Sequence, residues 1–259
     1  MHEGKERRLA NILAKDGKTF IVAMDHAAYM PQKYDGLEKP GKIINKVMSS
    51  GADALLTTLG TLRNSIGDIG SSATILSVES YPQNLEDVII QALRYGVDMI
   101  KVMVYPFSED DTDNVWNFQK LAMLADKWSL PIMAEVFPGG FNAGSEWQTI
   151  EKFATALRVV AEMGADVIKT YFIEDDDSTE GYQTVLEYAQ IPVVILGGEK
   201  SNDPKPLLEK VIRGMDAGAI GVAIGRNIWG YKDPDKITAA VASIIHEGKS
   251  VSDALKLTN

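Results

Sequence analysis

The sequence contains no cysteine, so a disulfide framework and thiolate metal sites are excluded. Histidine is nearly as scarce: only His2, His26 and His246 occur, scattered along the chain. No Lys/Arg-rich run forms a basic patch and the formal net charge is −10, so nucleic acid is not an expected partner. An acidic chain can still hold a local cationic pocket for an anionic substrate. No segment approaches the length of an apolar membrane span, and "MHEGKERRLANILAKDGK" has no apolar signal-peptide core, so a cytoplasmic protein without membrane contact is expected. What is present is ordinary for a soluble globular chain: 259 residues, 45% hydrophobic and 24% charged. That length suits two small domains or one α/β barrel.

Apolar runs of strand length alternate with amphipathic runs of helix length. The strand candidates are Thr19–Asp25, Ala52–Thr58, Ala73–Val78, Asp98–Tyr105, Pro131–Phe137, Asp166–Phe172, Pro192–Gly198 and Gly221–Arg226. Most are continuously apolar, as parallel strands covered on both faces require. Helices are expected over Leu85–Gly96, Thr112–Ser129, Glu146–Asp166 and Pro204–Ala219, several closing on glycine. "GAD" or a close relative precedes strands two, four, six and eight ("SGADALL", "YGVDMIK", "MGADVIK", "AGAIGVA"). Eight βα units without a linker predict a single (β/α)8 TIM barrel spanning residues 1–259. The alternative, an open doubly wound sheet, calls for a glycine-rich dinucleotide turn after strand one. "MDHAAYMP" stands there instead.

A barrel places its active site at the C-terminal strand ends. Three charges interrupt apolar strands: Lys101 in "MIKVMV", Glu135 in "IMAEVF" and Lys169 in "DVIKTY". One such residue reads as a structural ion pair. Three on consecutive strands, all able to point inward, read as a site. A nearby cation and desolvation both lower the pKa of a lysine, and a neutral amine can form a Schiff base with a ketone. Lys169 is then the nucleophile, Lys101 its cationic neighbour and Glu135 the proton shuttle. Asp25, after strand one, can hold or deprotonate a substrate hydroxyl. The last two strands end in "LGGEK" and "AIGRN". Gly197, Gly198 and Gly225 allow close backbone approach, Lys200 and Arg226 add charge, and these loops commonly hold phosphate in such barrels. A sulfonate fits similar donors.

The motifs "AMDH", "GADVIKTYF", "IPVVILGGEK" and "AGAIGVAIGRNIWG", in this order, carry a resemblance over nearly the whole chain. The chain resembles the class I Schiff-base aldolases of the deoxyribose-phosphate aldolase and archaeal-type fructose-bisphosphate aldolase superfamily. The resemblance implies that Lys169 is the Schiff-base lysine, that Asp25 contacts substrate hydroxyls, and that Gly198, Gly225 and Arg226 lie in the phosphate loops. It implies C–C bond cleavage or formation in a phosphorylated keto-sugar, no cofactor, no metal, and a homo-oligomer, often a decamer in the archaeal-type branch. The archaeal-type enzymes carry a "YPRG"-like motif after strand five. Here it reads "VFPGG", so Phe137 replaces the proton-donating phenol and Gly139 the arginine. Lys101 and Glu135 instead resemble the pair in tagatose-bisphosphate and sulfofructose-phosphate aldolases. Relatives with the same imine include transaldolases, a thiolase and an aminosugar synthase. A catalytically silent sugar-phosphate sensor is the alternative outside enzymes.

The scattered histidines do not suit the clustered ligands of a zinc-dependent aldolase. His26 reads equally as a substrate contact or as packing at the strand mouth. The acidic run "EDDDSTEG" (Glu174–Gly181) reads as a solvated loop and helix N-terminus. Arg63 reads as a surface residue or a second anion contact, and Tyr105, Trp147 and Trp229 as packing rather than pocket.

Overall fold

The structure, a computed structural model, describes residues 3–30, 32–79, 81, 83–173 and 179–259. Eight strands run parallel: β1 (Thr19–Ala23), β2 (Ala54–Thr57), β3 (Ala73–Val78), β4 (Met99–Val104), β5 (Ile132–Val136), β6 (Val167–Thr170), β7 (Val193–Leu196) and β8 (Gly221–Ile224). They close in sequence order, with β8 pairing back to β1, into a single (β/α)8 barrel. Each strand lies within its expected segment. Asp25, Tyr105, Phe137, Tyr171 and Gly198 fall just beyond the ladders, where backbone pairing ends and the loops begin.

The helices Leu85–Arg94, Asn114–Lys127, Ile150–Glu162 and Lys205–Asp216 occupy the four expected regions. The Asn84 side chain accepts from the amides of Glu86 and Asp87, and Thr149 from that of Lys152, so both helices start on a side-chain cap. The helix Asn114–Lys127 starts after Asp113 rather than at Thr112, and Asp113 makes no side-chain cap bond.

Alternation along the strands sorts side chains into two cores. Val22, Ile100, Val102, Ala134 and Ile168 face outward, in the cluster beneath the helices. Ile21, Ile75, Met99, Met133, Val167 and Val194 form the inner cluster, which Ile12 joins from the helix Glu3–Ile12. Each fully buried aliphatic side chain contributes about 1.5–3 kcal/mol. The inner set has the parity of Lys101, Glu135 and Lys169, so these three point into the barrel two residues further along. Register brings Ser77 opposite Lys101 and Glu135 opposite Lys169.

The repeated "GAD" has a structural role. Asp53, Asp98 and Asp166 accept the amide protons of Phe20 (2.6 Å), Thr74 (3.0 Å) and Ile132 (2.9 Å), at the starts of β1, β3 and β5. Each satisfies a donor at the N-terminal rim that the ladder leaves over. The N-terminal helix is pinned to the same rim. Lys5 Nζ contacts Asp166 at 2.9 Å and Asp126 at 3.1 Å, and Asn11 donates to Asp98 at 2.8 Å. No described helix is long and apolar enough to cross a membrane.

Candidate active site

A cavity of about 330 Å3 opens at the C-terminal end of the barrel. Its floor is a chain of alternating charges. Asp25 Oδ2 lies 2.8 Å from Lys101 Nζ, Lys101 Nζ lies 2.8 Å from Glu135 Oε2, and Glu135 Oε1 lies 2.5 Å from Lys169 Nζ. All four are buried, Lys101 most deeply at 1% exposure. Removing four charges from water is tolerable because they cancel in sign and each contacts an opposite charge. Burial works against the charge on Asp25, but Lys101 and then Lys169 outweigh it and hold the carboxyl far below the usual range. Glu135 follows the same pattern and is lowered by the same two ammoniums. Burial also opposes the Lys101 charge, yet Asp25 and Glu135 raise its pKa well above the ordinary lysine value. Lys101 is therefore not a loose cation beside Lys169, as the sequence suggested. Glu135 stands between the two amines, because a deeply buried ammonium needs carboxylate partners more than a like-charged neighbour.

Two residues that the sequence reading overlooked complete the floor. Ser77 donates to Asp25 Oδ2 at 2.9 Å, and the Tyr29 hydroxyl lies 2.8 Å from Ser77 Oγ. Lys101 Nζ sits 5.0 Å from the Tyr29 ring centroid. Burial raises the Tyr29 pKa, so its phenol stays protonated. Ser77 was detectable as a polar residue within the apolar run "ATILSV", at the parity of Ile75. Tyr29, on the short helix His26–Tyr29, follows no period that the sequence displays.

His26 lines the cavity beside Asp25. Burial, with help from Lys169 and Arg226 and against Asp25, pushes its pKa down to about 4. Its Nδ1 lies 3.8 Å from Asp25 Oδ1, but the ring is neutral at physiological pH, so this contact is not an ion pair. Nδ1 is buried without a hydrogen-bond partner. The ring meets Tyr34 and Trp229 edge-on at 6.0 and 5.6 Å, and Trp229 donates to the Ala23 carbonyl at 2.9 Å. A Cβ at Gly225 would come within 2.4 Å of the His26 ring, so glycine is what lets β8 and the β1 loop meet.

Gly197, Gly198, Gly225 and Arg226 form the wall at the ends of β7 and β8. Arg226 donates from Nη2 to the Gly198 carbonyl at 3.0 Å, while its Nε is buried without a partner. Asn227, also overlooked, ties this wall together: it donates to the carbonyls of Gly197 (3.2 Å) and Glu199 (2.8 Å) and accepts from the Ser201 amide (2.8 Å). Lys200 is exposed and lies outside the cavity lining, its stem beside Gly230. Lys210, from the helix Lys205–Asp216, instead brings its Nζ to 3.7 Å from the position a Gly198 Cβ would take.

Much of the remaining lining is aromatic or thioether. Phe137 packs edge-on against Phe141 (5.1 Å) and Tyr171 (5.5 Å), and Met30 and Met103 continue the surface. Tyr171 was within reach of the sequence, since it shares the inward parity of Lys169. Tyr105, Trp147 and Arg63 do not line this cavity. Trp147 stacks on Phe107, and Arg63 is exposed. Of "EDDDSTEG", residues 174–178 lie outside the described residues, as does His2, and the helix Glu180–Ala189 begins at the end of the run. His246 lies away from this cavity, bridging Asp16 (2.9 Å) and Asp53 (3.0 Å). Among the described residues, no three His, Asp or Glu side chains converge as metal ligands.

The known proteins this chain is similar to include aldolases, a synthase and a thiolase. The chain is 30% identical to the 2-amino-3,7-dideoxy-D-threo-hept-6-ulosonate synthase of Halobacterium salinarum, covering 97% of this chain and 95% of that protein. It is also 30% identical to the 3-hydroxy-5-phosphonooxypentane-2,4-dione thiolase of Enterobacter sp., over 98% of this chain and 85% of the relative. A solved archaeal fructose-1,6-bisphosphate aldolase, its catalytic lysine covalently bound to the carbinolamine intermediate, matches with a TM-score of 0.78 at 25% identity, covering 93% of this chain and 99% of its own. Residues 19–231 match the DeoC/LacD family aldolase domain. From that match, which takes in all eight strands and the charged floor, the chain is a member of the DeoC/LacD family of class I Schiff-base aldolases.

Proposed function

We propose that this enzyme is a lyase that cleaves or forms a C–C bond in a phosphorylated keto-sugar through an imine on Lys169. The observation that supports this reading most directly is Glu135 held between Lys101 and Lys169, at 2.8 and 2.5 Å, on the floor of a cavity with Arg226 at one end. Glu135 accepts a proton from Lys169, and the freed amine adds to the substrate ketone. Glu135 returns the proton to the carbinolamine hydroxyl, water leaves, and the iminium forms.

In cleavage, the bond between the carbons α and β to the imine breaks. Its electron pair moves into the iminium to give the enamine, and the β-hydroxyl proton passes to a carboxylate as the aldehyde departs. Glu135 suits this transfer better than Asp25. Asp25 is held ionised by Lys101 and is better fitted to accept a hydrogen bond from a substrate hydroxyl. Glu135 is lowered partly by the charge on Lys169. When the nitrogen becomes a neutral enamine that influence falls away, and Glu135 gains proton affinity at the step that delivers a proton. Reprotonation of the enamine and hydrolysis of the imine release the ketone product, of the dihydroxyacetone phosphate type.

The experiment is borohydride reduction in the presence of dihydroxyacetone phosphate, followed by peptide mass spectrometry. The expected result is one adduct on Lys169, absent in Lys169→Met. An unmodified Lys169, or turnover surviving Lys169→Met, overturns the proposal. The synthase and thiolase names of two relatives support a second reading, in which the same imine serves transfer to an acceptor. Product analysis with and without acceptor aldehydes or thiols separates the two.

A further inference from the structure

The close contacts of Asp25 fall on one of its two oxygens. Oδ2 meets Lys101 Nζ at 2.8 Å and Ser77 Oγ at 2.9 Å. Oδ1 shares in neither, and it stands 3.8 Å from His26 Nδ1, beyond hydrogen-bond distance. Asp25 lines the cavity, so this second oxygen belongs to a residue that a substrate can reach. The torsion that turns a carboxylate about its Cβ–Cγ bond is broad when nothing restrains it. Two donors on Oδ2 restrain it here, and they fix the direction in which Oδ1 points.

Those donors are themselves held. Ser77 is 7% exposed and sits on β3 opposite Lys101. A serine hydroxyl has one proton, and Ser77 gives it to Asp25. The 2.8 Å hydrogen bond between Ser77 and the Tyr29 hydroxyl therefore runs from Tyr29 to Ser77. Tyr29 also covers the Lys101 ammonium, whose Nζ lies 5.0 Å from the ring centroid. One phenol thus closes a circuit. Its hydroxyl leads through Ser77 to Asp25 Oδ2, and its ring leads through Lys101 to the same oxygen. Hydrogen bonds oriented along one chain polarise and strengthen one another.

We propose that Ser77 and Tyr29 are positioning residues that lock the Asp25 carboxylate with Oδ1 offered to the substrate, and that this lock decides which of the two hydrogens on the carbon α to the imine is removed. The proposal rests on the imine reading above and deepens it. The C=N bond ties the ketone to Lys169. A hydroxyl on the α carbon that donates to Oδ1 then fixes rotation about the bond between those two carbons. One α hydrogen faces Glu135, the carboxylate beside Lys169. That C–H bond breaks, its electron pair neutralises the iminium to give the enamine, and its proton passes to Glu135. With Asp25 free to turn, the hydroxyl is held in more than one way, and both hydrogens come within reach.

The probe is dihydroxyacetone phosphate alone, so no acceptor aldehyde enters the test. Borohydride trapping first checks the imine on Lys169. Absence of the adduct in the native enzyme overturns the imine and this inference with it. Exchange of the hydroxymethyl hydrogens in heavy water is then followed by proton NMR and mass spectrometry. The native enzyme is expected to stop at one deuterium per molecule, with the second hydrogen exchanging at least about 100-fold more slowly. Ser77→Ala should lower that ratio about tenfold, the scale of one hydrogen bond to a charged group. Tyr29→Phe keeps the ring over Lys101 but loses the hydroxyl, and should lower it about threefold. Because the two act in series, the double variant should match Ser77→Ala rather than multiply the two effects. A purely structural role would slow both exchanges together and leave their ratio alone. An unchanged ratio in both folded variants, with the adduct still trapped, overturns the inference and leaves the imine standing. A native enzyme that exchanges both hydrogens equally has the same meaning.

Discussion

Replacing Lys101 by methionine keeps the length of the side chain and most of its volume while removing its charge. In the native barrel Lys101 is 1% exposed and contacts Asp25 and Glu135, both at 2.8 Å. The four-membered floor is electrically neutral, and the variant leaves one excess negative charge in it. Glu135 keeps Lys169 at 2.5 Å, whereas Asp25 keeps the Ser77 hydroxyl at 2.9 Å and a neutral His26. Removing one partner from a buried ion pair costs about 3–5 kcal/mol. The pH dependence carries the sign. In the native protein the lowered Asp25 pKa gives stability that is present above its unfolded value of about 3.9 and is lost as pH falls through the folded one. The raised Lys101 pKa gives stability that is complete below about 10.4 and is lost only as pH rises through the folded value. In Lys101→Met, burial of Asp25 is no longer opposed by its main cation, so its pKa rises and protonation relieves the variant in mild acid. Urea unfolding followed by far-UV circular dichroism should therefore show the full deficit near about pH 8 and a smaller one near about pH 5. A deficit below about 1 kcal/mol, the scale of an exposed pair, or one that widens in acid, refutes the charge alternation as described.

Glu135→Gln keeps the shape of the bridge but cannot carry a proton, so kcat should fall about 100- to 10,000-fold with little change in KM; steady-state kinetics check this, and a drop confined to KM argues against proton transfer at Glu135. His26, with its pKa pushed down to about 4, should contribute no limb to the pH–rate profile near neutrality. The profile of His26→Gln should thus keep the native shape, and a neutral-pH limb that disappears in the variant contradicts the burial argument. Gly139→Ala should destabilise by more than about 1 kcal/mol, because the left-handed φ and the Trp147 contact both oppose a Cβ, and a thermal unfolding midpoint equal to that of the native enzyme excludes the close approach.

The distribution of apolar runs was enough to find all eight strands and the barrel, because parallel strands covered on both faces must be apolar and because the "GAD" stops recur at the barrel's own period. The three charges Lys101, Glu135 and Lys169 were conspicuous for a related reason, since each interrupts an apolar run; alternation allowed them to point inward, and the barrel placed them there. What stayed hidden concerns partners. Asp25 and Lys101 lie far apart in sequence and meet only because the barrel closes. No local rule says that Glu135 separates the two lysines. Lys200 sits in a loop whose direction no period describes, and it lies outside the cavity, while Lys210, from a helix, approaches Gly198.

Residue type and spacing thus determined the strands and the charged positions within them, since these depend on local geometry and on the cost of burying charge, whereas which face of each strand turns inward was set by the closed barrel. Closure of the barrel decided the pairing order Asp25–Lys101–Glu135–Lys169 and the neutral His26. Those properties depend on distances between strand ends and loops, and only the folded chain sets them.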